Sequence, residues 1–293
     1  MFVDAIETAA KFTRPIHIIT RLWGATEAYP GAATLFFVNQ DGWALTCKHV
    51  ANQLKFADQL LEKFSNFKAE RARLAAGKKS RQPIRALERK HGFTSGQPVE
   101  IYYRFFNCVE GPLELEVTLH PSLDAALLKF KNFTRLGASV FPVFARDGQA
   151  LKQGKFLCRL GFPFPEFTNF AYDQATDQIR WTDSGRLHTP QFPIEGMMTR
   201  NVTSSGVKVG FELSTPGLGG QSGGPAFDGE ARVWGMQAAT NHLDLNFDVD
   251  MDVLRNGQKR HVKDSAFLHV GHCVHVDVLK QFMRDHQVSF QEG

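Results

Sequence analysis

The sequence predicts an all-β protein, a sandwich or a barrel, with helix confined to both ends and one internal stretch. Two observations carry this. Short apolar runs recur along the chain: IHIITRLWG, ATLFFVN, WALTC, VEIYYRFF, LELEVTL, AALLKF, FLCRLGF, QIRWT, GVKVGFEL, PAFDG, ARVWGMQA and FLHVGHCVHV. Clusters of Gly, Pro, Asn and Asp punctuate them, as many short strands joined by turns require. Helical spacing appears in three places only. Residues 2–13 put Phe2, Ile6, Ala9 and Ala10 on one side, and Pro15 stops the helix. Residues 51–76 place Leu54, Ala57, Leu60, Leu61, Phe64, Phe67 and Leu74 at helical intervals without Pro or Gly. The closing segment DVLKQFMRDHQ repeats the pattern through Val278, Leu279, Phe282 and Met283.

The chain has 293 residues, 43% apolar and 22% charged, which suits an ordinary globular protein of one large or two modest domains. Its 26 Phe are enough to fill two separate cores. Cys47, Cys108, Cys158 and Cys273 form no CxxC pair, which excludes a zinc ribbon or a thioredoxin-like centre. Such sparse usage suits a reducing compartment. Asp4 and Glu7 precede the first Lys, so no signal peptide is expected, and no apolar run is long enough to span a membrane. The cytoplasm is the expected location. The net charge of +4 is concentrated, because residues 51–92 hold 11 Lys/Arg against 4 Asp/Glu. The tract GKKSRQPIRALERKHG supplies most of it.

The strongest local text is Gly219-Gly220-Gln221-Ser222-Gly223-Gly224-Pro225. Glycines on both sides of a serine permit a tight turn that exposes the hydroxyl. They also let the N–H groups of Gly220 and Ser222 converge as an oxyanion hole. A nucleophilic serine needs a base, and the base an orienting acid. Among 11 histidines, His49 stands out because it closes Thr-Cys-Lys-His after the apolar run Trp43-Ala44-Leu45-Thr46. Asp124 opens Asp-Ala-Ala-Leu-Leu-Lys, a carboxylate at the mouth of a buried strand, costly there unless paired.

These three blocks, FFVNQDGWALTCKHVA, SLDAALLKF and STPGLGGQSGGPAFDGEARVWGMQ, resemble the signatures of the trypsin-like (chymotrypsin-fold) serine proteases, and most nearly bacterial HtrA-like catalytic domains without a PDZ module. Gly161-Phe162-Pro163 resembles a Gly-aromatic-Pro element of that group. The resemblance implies two six-stranded antiparallel β-barrels, with a helical insertion after the catalytic histidine and a C-terminal helix. It implies a peptidase domain over 15–285, with a first barrel over 15–145 and a second over 146–285, after an N-terminal helix over 1–14. It also implies a serine endopeptidase with catalytic His49, Asp124 and Ser222, an oxyanion hole at Gly220 and Ser222, and no metal or organic cofactor. The substrate would be a protein or peptide. Pro216 falls near the base of the primary specificity pocket, with Ala238, Ala239 and Thr240 along its wall. No carboxylate stands at the floor, so small apolar or polar substrate side chains are expected.

Departures from the pattern matter. Val50 replaces a disulfide cysteine common beside the histidine, and Gln221 replaces an aspartate that pairs with a newly cut N-terminus. Activation by trimming is therefore not expected, and other control is. The basic insertion 51–92 is expected either to gate the cleft or dock an acidic regulatory partner, or else to pack as an amphipathic helix on the first barrel. Nucleic acid is a weaker partner, since the aromatics lie on the apolar face. Asp244, Asp248, Asp250 and Asp252 read as an acidic surface loop, lacking the Gly and closing Glu of a calcium loop. Strand alternation puts His269, Cys273 and His275 on one face and His272 on the other, and packing histidines are favoured over a metal site. Two other functions compete with the peptidase: a protease-fold binding module acting through the insertion, and another nucleophilic hydrolase. The latter lacks the strand–helix nucleophile elbow.

Overall fold

The computed structural model describes residues 2–75, 82–255 and 257–293. The first helix, α1 (Val3–Ala10), is shorter than its periodicity implies. Its last carbonyls are taken by the Thr13 hydroxyl, 2.7 Å from Ala9 O, and by the Arg14 guanidinium on Ala10 O. The backbone then enters a six-stranded antiparallel sheet. Its strands are β1 (Thr13–Leu22), β2 (Ala28–Phe37), β3 (Trp43–Thr46), β4 (Pro98–Phe105), β5 (Glu114–Leu119) and β6 (Ala126–Lys131). Their spatial order is β4-β1-β2-β3-β6-β5. Pro15 is tolerated inside β1 because the pairing with β4 begins only at Ile16.

The second sheet contains β7 (Phe156–Gly161), β8 (Phe192–Ser204), β9 (Val207–Leu213), β10 (Pro225–Phe227), β11 (Arg232–Arg255) and β12 (Gln258–His275). These six close into a ring, β10-β7-β8-β9-β12-β11, through the return pairing of β10 with β11. Two short strands, Val143–Phe144 and Gln291–Glu292, extend the sheet beyond β11 in parallel. The all-β expectation of two six-stranded units therefore holds, with that addition. The helix α4 (Val276–Asp285) follows β12, its N-terminus capped by the His275 side chain accepting from Asp277 N–H.

The expected pair of separate Phe-lined cores is not what forms. The largest apolar cluster joins Phe36, Phe37 and Phe130 of the first sheet to Phe144, Phe227 and Met236 of the second, and α4 adds Phe282 and Met283. The two barrels bury apolar faces against each other, so the core is continuous across them. A smaller cluster around Leu157, Met198, Phe211 and Trp234 lies within the second ring.

The internal helix begins earlier than its apolar spacing suggests. α2 (Lys48–Ala75) takes in His49, and its first helical hydrogen bond runs from Ala51 N to Cys47 O. It is followed by α3 (Gln82–Lys90). Residues 77–81 of the basic tract, with Lys78, Lys79 and Arg81, lie outside the described residues. The apolar face of α2 packs beside β4: Ala57 and Leu60 join Ile101, while Phe64 and Phe67 pack with Leu87, Phe93 and Val99. The Trp23 ring closes this cluster, 5.1 Å from Phe67 and 5.0 Å from Phe93. Below it, the buried Arg21 guanidinium pairs with Glu100 and with Asp177, which also holds Arg71 of α2.

The Asp-rich stretch is not a loop. β11 and β12 form a long hairpin whose pairing runs from Gly235 with His275 to Arg255 with Gln258. Leu243, Leu245, Val249, Met251 and Val253 alternate with polar residues along it, the period-two signal of a strand that its aspartates obscure. Two of the aspartates pair across the hairpin: Asp252 with Lys259 and His261, Asp250 with His261.

His17, on β1, is fully buried between Phe106 and Phe167, with ring centroids at 5.0 and 4.2 Å. Its Nε2 meets the Thr189 hydroxyl at 2.9 Å, and its Nδ1 has no partner among the described residues. Burial, reinforced by Arg104 and His188, pushes its pKa down from 6.5 to about 4. A histidine held neutral in the fold stabilises it fully above the unfolded pKa, and that contribution is lost as pH falls toward the folded one. Urea midpoints are expected to fall from pH 6.5 to 4 through loss of about 3 kcal/mol from this site. His17→Gln should flatten that acid limb.

Candidate active site

The elements of the site are held by hydrogen bonds that cross from one strand, helix or loop to another. β3 ends at Thr46, and α2 starts two residues later, so His49 sits in the first helical turn at the lip between the sheets. Asp124 lies in the loop before β6. Lys48 Nζ binds the carbonyls of His120 and Pro121, and the His120 ring accepts from the amides of Ser122 and Leu123. These bonds hold the loop against the helix start.

The Asp124 carboxylate engages His49 twice. Its Oδ1 accepts from His49 N–H at 2.9 Å, and its Oδ2 meets Nδ1 at 2.8 Å. The amide bond belongs to the N-terminal turn of α2, where unpaired N–H groups favour a negative charge. Desolvation pushes the Asp124 carboxyl up. The hydrogen bonds from the His49 ring and from the His49 and Lys48 amides outweigh it, and they hold the group below the ordinary carboxylate value. With Nδ1 engaged, the tautomer leaves Nε2 directed away from the acid.

The serine loop runs over Gly219–Pro225 and is fastened to both sheets. Gly220 and Gly223 have φ of +98° and +90°, the left-handed region that glycine alone enters without strain. A side chain at Gly220 would also strike the Phe162 carbonyl, 2.6 Å from an ideal Cβ. Thr34 on β2 is the main fastener. Its N–H donates to Ser222 O at 3.0 Å and its hydroxyl to Gly220 O at 2.7 Å. Across β1 its partner is Pro15, which has no N–H to give, and the Thr34 carbonyl accepts from the Thr46 hydroxyl instead. Gln237 O then accepts from both Gly223 N–H and the Cys47 thiol. The loop that carries Ser222 is thereby tied to the strand end that leads to His49.

The amides of Gln221, Gly223 and Gly224 all have backbone acceptors, whereas those of Gly220 and Ser222 have none among the described residues. The Ser222 hydroxyl donates to Ala238 O at 3.3 Å. Gln221 is buried, with its amide on Phe192 O and its Oε1 accepting from Leu218 N–H, so it serves as an internal brace of the loop.

The family profile of the trypsin-like peptidase domain matches residues 33–236, which span His49, Asp124 and Ser222. The chain belongs to the trypsin-like peptidase family. Among solved structures, an HtrA-type protease, AlgW, with a tripeptide is similar over 97% of this chain and 63% of its own, at 11% identity and a TM-score of 0.49. The Rv3671c protease from M. tuberculosis in its active form is similar over 99% of this chain and 88% of its own, at 13% identity and a TM-score of 0.47. No curated protein sequence matches this chain.

Within this trypsin-like peptidase domain, one hydrogen bond joins the two segments that carry Pro216 and Ala238–Thr240. The Thr240 hydroxyl donates to Gly217 O at 2.6 Å, which sets the Pro216–Gly217 segment opposite Ala238–Thr240. Ala238 is buried, Ala239 exposed, and Pro216 and Thr240 half-buried. The residues of the possible histidine–cysteine metal face do not converge. His269 is exposed on the hairpin against His242, while Cys273 and His275 are buried under the sheet. Cys47, His49 and Asp124 do bring ligand atoms within 4.8 Å of one another. Burial, reinforced by Asp124, raises the Cys47 thiol well above its ordinary value, and a protonated thiol is a poor metal ligand. All four cysteines are free and buried.

Thr34, Cys47 and Gln237 carry no signal in the sequence. Each is a polar residue inside an apolar strand text, and only the partner strand reveals its role.

Proposed function

We propose that the chain is a serine endopeptidase working through His49, Asp124 and Ser222. The observation that carries this reading is the double engagement of His49 by Asp124, together with a glycine-bounded serine whose own amide and that of Gly220 lack acceptors among the described residues. After rotation of its side chain, Ser222 Oγ attacks a peptide carbonyl while His49 Nε2 takes its proton. The amides of Gly220 and Ser222 receive the oxyanion. His49 returns the proton to the leaving amine, and water repeats the sequence on the acyl-enzyme. Asp124 orients the imidazole and stabilises its cation. Side chains and backbone alone carry these steps, without a metal or organic cofactor. The peptidase domain would occupy 15–285, with Pro216, Ala238, Ala239 and Thr240 facing the substrate.

The resting contact of the Ser222 hydroxyl with Ala238 O favours a second reading, an idle protease fold that binds partners through the basic insertion 51–92. The packing of α2 beside β4 puts Phe64 and Phe67 out of reach of nucleic-acid bases, so an acidic protein is the partner of choice for the insertion. No helix among the described residues is long and apolar enough to cross a membrane. A fluorophosphonate probe separates the readings. Labelling of the wild type and its loss in Ser222→Ala support the peptidase; a wild type that stays unlabelled, with and without an acidic protein activator, supports the module.

A further inference from the structure

Two guanidinium groups are buried among the described residues, and they are treated differently. Arg21 is neutralised by Glu100 and Asp177. Arg159, on β7, is fully buried with no carboxylate beside it among the described residues. Its Nη1 donates to Gln237 Oε1 at 2.8 Å, and its Nη2 to Thr215 O at 3.0 Å and to the Thr215 hydroxyl. Its Nε has no acceptor among the described residues. A buried, uncompensated charge costs several kcal/mol, by order of magnitude, which packing alone does not justify. Arginine does not escape this by losing its proton.

The location gives the charge a purpose. Thr215 directly precedes Pro216, and Gln237 directly precedes Ala238, so the guanidinium is bonded to the residues that lead into the proposed base and wall of the side-chain pocket. The facing strand leaves space for it. Gly271 on β12 donates its N–H to Thr215 O, and an ideal Cβ there would come within 2.0 Å of Arg159 Nη1. Gly217 is equally required, since a Cβ would come within 2.1 Å of Gln237 Nε2. Two glycines thus make room for a buried polar layer of Arg159, Gln237 and Thr215.

We propose that Arg159 is the specificity-determining residue of this pocket, and that the protein cleaves peptides after residues with a carboxylate side chain. This rests on the serine-peptidase reading and names its substrate class. An incoming carboxylate replaces Gln237 Oε1 as the acceptor of Nη1, and Gln237 turns its amide group to the other carboxylate oxygen. The planar guanidinium fork suits a carboxylate better than a neutral amide of the same shape. This revises the expectation of small uncharged side chains, which follows from the absence of a floor carboxylate. The opposite charge comes from β7, well upstream of the serine block in sequence.

The test compares acetyl-Ala-Ala-Glu and acetyl-Ala-Ala-Gln peptides bearing a fluorogenic amide. The wild type should favour Glu in kcat/KM by on the order of 10–100-fold, the scale of a hydrogen bond to a charged group. Arg159→Gln should bring that ratio to about one, and Arg159→Lys should keep its direction. The ratio is internal to each protein, so a general loss of activity does not disturb it. If both variants fail to fold, the wild-type ratio decides alone. A wild type that labels with fluorophosphonate yet cleaves both peptides equally overturns the acidic subsite and leaves the peptidase standing. If the wild type does not label, the peptidase reading fails. Calorimetric titration of the Ser222→Ala protein with both peptides then decides the subsite: tighter binding of Glu upholds it, and equal binding overturns it.

Discussion

Ser222→Ala and His49→Ala are each expected to lower kcat by on the order of 10⁶-fold, and the double variant by no more than the worse single one. In the proposed mechanism the two groups act on one proton in one step, so removing either leaves the other without a task. What survives is the binding cleft and the amides of Gly220 and Ser222, which belong to the backbone and remain in both variants. The structure supplies a reason to expect the scaffold to persist. The serine loop is held by Thr34 on Ser222 O and Gly220 O, bonds to main-chain atoms that the alanine keeps. Burst kinetics and active-site titration with a reactive ester are the measurement. A strictly additive double variant would show that the residues do not work as a unit.

Asp124→Asn is expected to cost about 10⁴-fold in kcat with little change in KM. An asparagine can still accept the His49 N–H through its carbonyl oxygen, so the first turn of α2 stays capped. Its NH₂ group then faces Nδ1 and selects the tautomer with the proton on Nε2, the atom that must accept from Ser222. The variant therefore keeps the fold and loses the base. The sign of the acid effect follows as well. Because the Asp124 carboxyl is held below its ordinary value, its charge stabilises the fold at neutral pH, and that support disappears as pH falls through the folded pKa. The wild type should lose this increment on acidification and Asp124→Asn should not. Nitrogen chemical shifts of His49 report the tautomer, and acid unfolding curves report the increment.

Much of this architecture is legible in the amino-acid sequence. The blocks around His49, Asp124 and Ser222 stand out because glycine, histidine and an acid in those settings have few other uses. The helical insertion and the terminal helix follow from apolar spacing. The start of α2 at Lys48 is hidden because its first turn carries no apolar periodicity, and its cap is the distant Asp124. The long hairpin of β11 and β12 is hidden because Asp244, Asp248, Asp250 and Asp252 lower strand propensity, while the cross-strand lysine and histidine partners that offset this lie at positions 259–261. The union of the Phe-lined cores is hidden because composition counts residues without saying which sheet faces which. Arg159 looks like any arginine in a strand. Only its neighbours show that it has no carboxylate beside it among the described residues.

The two fastenings at Thr34 have a further meaning for how such a protein comes into being. A ribosome releases the stretch up to Lys131 first, and this portion holds the proposed base and acid but not the proposed nucleophile. The nucleophile arrives much later in synthesis, on a loop whose curvature depends on hydrogen bonds back to a strand already made. Under the proposed mechanism neither half could hydrolyse a peptide while it waits. The capacity to cut would emerge, under that mechanism, only when the halves have docked, and the assembly step would itself hold the peptidase in check.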